Sequence, residues 1–191
     1  MGAVLTQSAA WANVEKAIAN LKAANVLSPA AMRDISLEEL AGLIRCSGYF
    51  NAKAKKLKAL VGWLGEQGDN LEFLCSRESA ELRRELLAVH GIGPETADSI
   101  LLYAASKPLF VIDAYTRRIF GRLGIRSPGE SYADWQRLFM DRLEPDVTFF
   151  NEYHALLVRL GKEVCHKKTP RCRDCCLAEL CLFAAESGAH P

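Results

Sequence analysis

Leu86-Leu87-Ala88-Val89-His90-Gly91-Ile92-Gly93-Pro94-Glu95-Thr96-Ala97 reads as helix, tight turn, helix. Leu82, Leu86 and Val89 recur at helical spacing, and the run stops at Gly91. Pro94 restarts the chain at a helix N-terminus, where its missing N–H costs nothing. Two glycines permit positive φ and let another backbone come close. Ile92 plugs the turn into the core. The N–H groups at Gly91, Gly93 and the first turn after Pro94 point outward with the helix dipole behind them. That is a seat for an anion such as a phosphate, directly or through a bound cation. An ordinary αα-corner uses the same residues, so the turn alone does not decide a function.

Outward from this hairpin the pattern stays helical. Trp11, Val14, Ile18 and Leu21 give an opening helix of about three turns. Ser36-Leu37-Glu38-Glu39 is a capping-box start for a helix reaching Ile44, and Gly48 breaks the chain. Ala54, Leu57, Leu60, Val61 and Leu64 form the buried stripe of the next helix, with Lys53, Lys55, Lys56 and Lys58 on the opposite face. The helix after Pro94 runs to about Ala105. Leu109-Phe110-Val111-Ile112 is apolar but too short to read as a strand. Asp113 opens a helix to Leu123, and two more run from about Tyr132 to Leu143 and from about Thr148 to Val164. The fold class expected is all-α, with many short helices.

The 191 residues suffice for one large domain or two small ones, and half of them are apolar. Net charge is +1, but basic residues cluster. Besides the lysines above, Arg117, Arg118, Arg122 and Arg126 form one group, and Lys167, Lys168, Arg171 and Arg173 another. Such patches either bind phosphates or are solvated faces. The longest apolar runs fall short of a membrane span. The start, MGAVLTQSAAW, lacks the basic region and apolar stretch of a secretory signal. Seven cysteines without such a signal suggest a reducing, cytoplasmic setting and metal ligation rather than disulfides.

Cys165, Cys172, Cys175 and Cys181 are spaced C-x6-C-x2-C-x5-C. Four converging thiolates need a metal ion or cluster to neutralise them. Cys176 is a spare beside Cys175, while Cys46 and Cys75 read as small core residues. Asp113 is another marked position. An N-cap carboxylate accepting from backbone N–H groups is one reading, and a carboxylate at a cleft edge held by that same helix start is another. The two are compatible.

Together these residues resemble the endonuclease III superfamily of helix-hairpin-helix DNA glycosylases. The matching segments are Leu5-Thr6-Gln7, His90-Gly91-Ile92-Gly93, Val111-Ile112-Asp113 with Arg117 beyond, and the four-cysteine spacing. The resemblance implies two helical lobes with double-stranded DNA across the cleft between them. Residues 1–108 are then a six-helix barrel with the hairpin at about 80–105, and residues 109–191 an iron–sulfur lobe. It implies a [4Fe–4S] cluster on Cys165, Cys172, Cys175 and Cys181, with zinc as the alternative, although only one C-x-x-C knuckle is present. The cluster shapes DNA binding and does not perform cleavage. DNA contacts are implied for Gln7, which fills the gap left by an everted base, for Gly91, Ile92 and Gly93 with a possible monovalent cation, and for Lys167, Lys168 and Arg171. A monomer acting at the nucleoid is expected.

Two departures refine the expectation. Bifunctional members carry a lysine two residues after the second hairpin glycine, whose amine forms a Schiff base with the sugar. Here Glu95 stands there, so lyase chemistry is expected to be absent or feeble. Asp113 and Glu95 are the candidate catalytic residues, Glu95 being also a plain first-turn acid that suits the helix dipole. A glutamate at this position resembles the monofunctional 3-methyladenine glycosylase branch, whose pockets sandwich a cationic base between aromatic rings. Trp11, Tyr49 and Phe50 are the candidates. The expected function is hydrolysis of the N-glycosidic bond of a damaged base, an alkylated purine. The alternatives are an endonuclease III-like glycosylase/lyase for oxidised pyrimidines and a non-catalytic damage-binding module. Relatives also carry a helix before the Leu-Thr-Gln segment that packs on the cluster lobe. Its absence here predicts an exposed apolar patch on that lobe.

Overall fold

Ser36 and Glu39 close the box that their spacing predicts. Glu39 N–H donates to Ser36 Oγ at 3.1 Å, and Ser36 N–H donates to Glu39 Oε2 at 3.2 Å. Two helix-end donors are thereby satisfied locally. A computed structural model describes residues 1–188, which are helical with no strand among them. They group into two compact units, Met1–Ala105 and the residues from Ser106 onward. No helix among the described residues is long and apolar enough to cross a membrane.

The first unit contains α1 (Gly2–Leu5), α2 (Trp11–Ala23), α3 (Pro29–Asp34), α4 (Leu37–Leu43), α5 (Phe50–Glu66), α6 (Leu71–Ser76), α7 (Ser79–Ala88) and α8 (Pro94–Ala104). α5 is its axis. Ala54, Leu57, Leu60 and Val61 are buried there as the periodicity requires, and α3 and α4 pack along it. α1, α3 and α6 have six residues or fewer, too short for a periodic signal to build up.

Lys53 corrects the amphipathic reading of α5. It is 1% exposed, and its Nζ donates to Leu5 O at 2.8 Å and Ser47 O at 2.6 Å. Desolvation, with Lys56 nearby, holds its pKa below the ordinary lysine value. An ammonium is tolerated inside because two carbonyls from separate segments meet it. Lys58 also turns inward, donating to Arg33 O at 2.7 Å. Cys46 and Cys75 are only half-buried, with Sγ 3.5 Å from Asn13 O and Ala104 O respectively.

The second unit contains α9 (Ala114–Leu123), α10 (Tyr132–Met140), α11 (Val147–Glu163) and α12 (Leu182–Glu186). Its core is aromatic. Phe110 stacks on Phe139 with centroids 4.1 Å apart and meets Phe150 and Tyr153 edge-on. Phe110, Val111 and Ile112 are all buried, yet the segment has no regular structure. Side chains replace a ladder: Gln136 Nε2 donates to Phe110 O at 2.8 Å, and Ile112 N–H donates to Tyr132 Oη at 3.3 Å. α9 and α11 approach closely because Gly161 has no Cβ; one would lie 2.3 Å from Tyr115 Cδ1. Exposed apolar side chains in this unit include Ile125, Phe149, Leu156, Leu180 and Leu182.

Candidate active site and metal centre

The hairpin is α7, the turn at 89–93, and α8. Val89 and Ile92 are buried, so the turn is plugged as its sequence suggests. Arg83 of α7 grips Asp98 of α8 with two bonds, Nε to Oδ1 at 2.6 Å and Nη2 to Oδ2 at 3.1 Å. Asp98 is 0% exposed, so this fork ties the two helices together through a buried charge.

The two hairpin glycines differ. Gly91 has φ +79°, and a Cβ there would lie 2.3 Å from Lys56 Cγ. Gly93 has φ −90° and ψ 177°, ordinary extended backbone, with nothing within 4 Å of a Cβ. Gly93 therefore leaves room outside the protein rather than satisfying its own backbone. Gly91→Ala is expected to lower stability by about 1–2 kcal/mol, through the strained φ and the clash with Lys56. Gly93→Ala should leave the melting temperature nearly unchanged, because nothing lies within 4 Å of a Cβ there. Calorimetry on both variants checks the difference.

Gln7 is bound on both sides of its amide. Lys56 Nζ donates to its Oε1 at 2.5 Å, and its Nε2 donates to Thr96 Oγ1 at 2.8 Å. Gly91 O lies 3.4 Å from that nitrogen. The Leu5-Thr6-Gln7 segment is thus fastened to the hairpin. The pairing of Lys56 and Thr96 with Gln7 carried no sequence signal, since Gln7 lies 49 and 89 residues away. Glu95 is exposed in the first turn of α8.

Trp11 is 49% and Tyr49 74% exposed, and Phe50 is half-buried beneath the Arg45 guanidinium. Trp11 opens α2, and the turn Arg45–Ser47 that leads to Tyr49 packs on that helix. Tyr49 sits at φ +46°, a left-handed backbone that costs a bulky L-residue about 1–3 kcal/mol. It is an exposed aromatic ring on a left-handed backbone position.

In the second unit Asp113 caps α9. Its Oδ1 accepts from Thr116 N–H at 2.7 Å and from Thr116 Oγ1 at 2.9 Å. Its Oδ2 lies 3.6 Å from His154 Nε2. The residue is 9% exposed. Burial pushes its pKa up, but His154 and Thr116 outweigh that, so the pKa lies below the ordinary aspartate value. The carboxylate is therefore ionised at neutral pH. His154 was missed by sequence reading. Its one trace is that it stands among Phe150, Leu157 and Gly161 on the buried face of α11.

Cys165, Cys172, Cys175 and Cys181 line one pocket with an empty volume of about 270 Å³, walled also by Arg122 and Phe183. Cys176 is exposed and outside that lining. Burial raises the Cys175 thiol, and Cys176, Cys165 and Cys181 raise it further. Among the described residues no three His, Cys, Asp or Glu are grouped tightly enough to hold a single metal ion. Four soft thiols lining one pocket are the donor type that an iron–sulfur cluster takes.

Two of the clustered arginines serve this loop rather than solvent. Arg118 donates to Cys165 O and Gly161 O, both at 2.9 Å. Arg122 Nη1 lies 3.1 Å from Cys165 Sγ and 2.8 Å from His166 O, over the Phe183 ring. Arg117 donates to Glu130 O. Lys167 and Lys168 are exposed, and Arg171 is exposed but pairs with Asp174 at 2.7 Å.

The sequence pattern of HhH-GPD superfamily base excision DNA repair proteins matches residues 1–145. A Methanocaldococcus jannaschii protein named as a DNA repair glycosylase is 41% identical over 184 residues, 95% of this chain and 83% of the relative. Among solved structures, the 3-methyladenine DNA glycosylase of H. pylori, bound to 1,N6-ethenoadenine, superimposes with a TM-score of 0.74. It is 30% identical, over 85% of this chain and 82% of that one. A non-covalent endonuclease III–DNA complex gives a TM-score of 0.82 at 23% identity, over 98% of this chain and 83% of that one, a likeness of fold.

Proposed function

The chain belongs to the HhH-GPD superfamily as a base excision repair DNA glycosylase, and from that premise we propose that it hydrolyses the N-glycosidic bond of an alkylated purine in double-stranded DNA, without a lyase step. The observation that carries this reading is the pair of acidic positions. Asp113 is a buried carboxylate held ionised, and Glu95 occupies the hairpin position from which an amine would attack the sugar. The likeness to a 3-methyladenine glycosylase supports the same substrate class.

The chemistry follows from charge. As the C1′–N bond breaks, the sugar becomes oxocarbenium-like, and the ionised Asp113 stabilises it electrostatically. Water attacks C1′, its proton passes to Asp113, and the base departs with the bonding electron pair. A purine alkylated at N3 or N7 is already cationic and leaves neutral, so strong acid catalysis is unnecessary. Trp11, Tyr49 and Phe50 stack on the everted base, whose positive charge favours aromatic faces. Gln7 exchanges Lys56 and Thr96 for the gap that the base leaves. Gly91, Ile92 and Gly93 seat a phosphate at the start of α8, with a monovalent cation as bridge. Lys167, Lys168 and Arg171 meet the backbone elsewhere. Cys165, Cys172, Cys175 and Cys181 would hold a [4Fe–4S] cluster, which would organise this last loop.

A base-release screen over alkylated, oxidised and deaminated DNA tests the substrate class. Free methylated purine is expected as the dominant product. Borohydride reduction during turnover is expected to trap no covalent protein–DNA adduct, because a carboxylate cannot form a Schiff base. An adduct seen on a denaturing gel would move the assignment to a glycosylase/lyase.

A further inference from the structure

The two oxygens of Asp113 have different surroundings. Oδ1 is saturated by the N–H and hydroxyl of Thr116. Oδ2 lies 3.6 Å from the imidazole Nε2 of His154, longer than a hydrogen bond. That imidazole is placed by helix packing. His154 is buried between Phe150 and Leu157, and α9 is locked to α11 by the Tyr115–Gly161 contact and by Arg118 on Gly161 O. The spacing between carboxylate and imidazole is thus built into the helix pair.

We propose that His154 is a positioning residue for base excision: by facing Oδ2 from α11 it keeps Asp113 ionised and aimed as the sugar becomes cationic. This rests on Asp113 being the carboxylate that meets the sugar. Of the groups acting on Asp113, Thr116 of its own helix is not titratable in this range, and His154 is the titratable partner from the packed helix. Burial alone favours the neutral acid, which could neither stabilise a cation nor accept a proton. An apolar side chain at 154 would leave that burial opposed only by Thr116.

The test uses His154→Leu and His154→Gln in the full chain. His154→Leu is expected to move the acid limb of the kcat/KM profile to higher pH, so that base release at about pH 5 falls by about tenfold more than at about pH 8. The carboxyl carbon of Asp113, followed by NMR, should titrate at correspondingly higher pH. His154→Gln, which returns an N–H donor to the same reach, should restore much of both. An unmoved profile together with an unmoved titration in His154→Leu overturns the proposal. If His154→Leu does not fold, His154→Ala carries the test: the carboxyl carbon of Asp113 should titrate at higher pH there than in the wild-type protein. An unmoved carboxyl titration overturns the proposal. An Asp113→Asn enzyme with full activity would sink the catalytic reading separately, with the titration still deciding whether His154 governs the carboxylate.

Discussion

Asp113→Asn is expected to reduce release of methylated base by roughly 10²–10⁴-fold while leaving the protein folded. The change is nearly isosteric. The asparagine oxygen can still accept from Thr116 N–H and Oγ1, as Asp113 Oδ1 does, and Asn and Asp are equivalent helix caps. What disappears is the negative charge on the oxygen facing His154. Losing a full charge opposite a developing cation, in a site sheltered from water, is the largest single effect available to one atom here. The measurement pairs single-turnover base release from alkylated DNA with a thermal melt. Wild-type release from a normally folded variant would reduce Asp113 to a cap.

Arg83→Met is expected to destabilise the first unit by about 3–5 kcal/mol. The guanidinium is partly exposed, but its partner Asp98 is fully buried, so removal strands a carboxylate with its main counter-charge gone. For a chain of this length that corresponds to a drop on the order of 10 °C in melting temperature. Replacing both residues with leucine should recover part of the loss, because the stranded charge goes too. Damage-specific DNA binding should fall with Arg83→Met even below the melting transition, because the fork fixes the angle between α7 and α8. A variant that melts like the wild type would show that Asp98 is held by other means.

Much of this architecture was legible along the chain. The capping box of α4, the stripe of α5 and the hairpin are local patterns, and local patterns carry their own physics. Lys53 was not legible. Its position every few residues from other lysines reads as a solvated face, and only the arrival of Leu5 O and Ser47 O makes burial tolerable. Phe110 to Ile112 defeated periodicity because all three side chains are buried, which neither a strand nor a helix with one wet face would show. Which of the two hairpin glycines uses its freedom was not legible: Gly91 has positive φ, while the backbone of Gly93 is ordinary. Arg118 and Arg122 counted as surface charge until the loop carbonyls they hold came into view. His154 stood in an apolar stripe, and one sequence cannot say that the carboxylate facing it comes from 41 positions earlier.

The interior ammonium of Lys53 has a practical corollary. With Nζ enclosed between Leu5 O and Ser47 O, it is shielded from acylating reagents that will modify the neighbouring Lys55 at once. Reaction at Lys53 must wait until the N-terminal turn lifts away from α5. The rate of its acylation, read by mass spectrometry, therefore clocks the opening of that corner of the protein without any engineered probe.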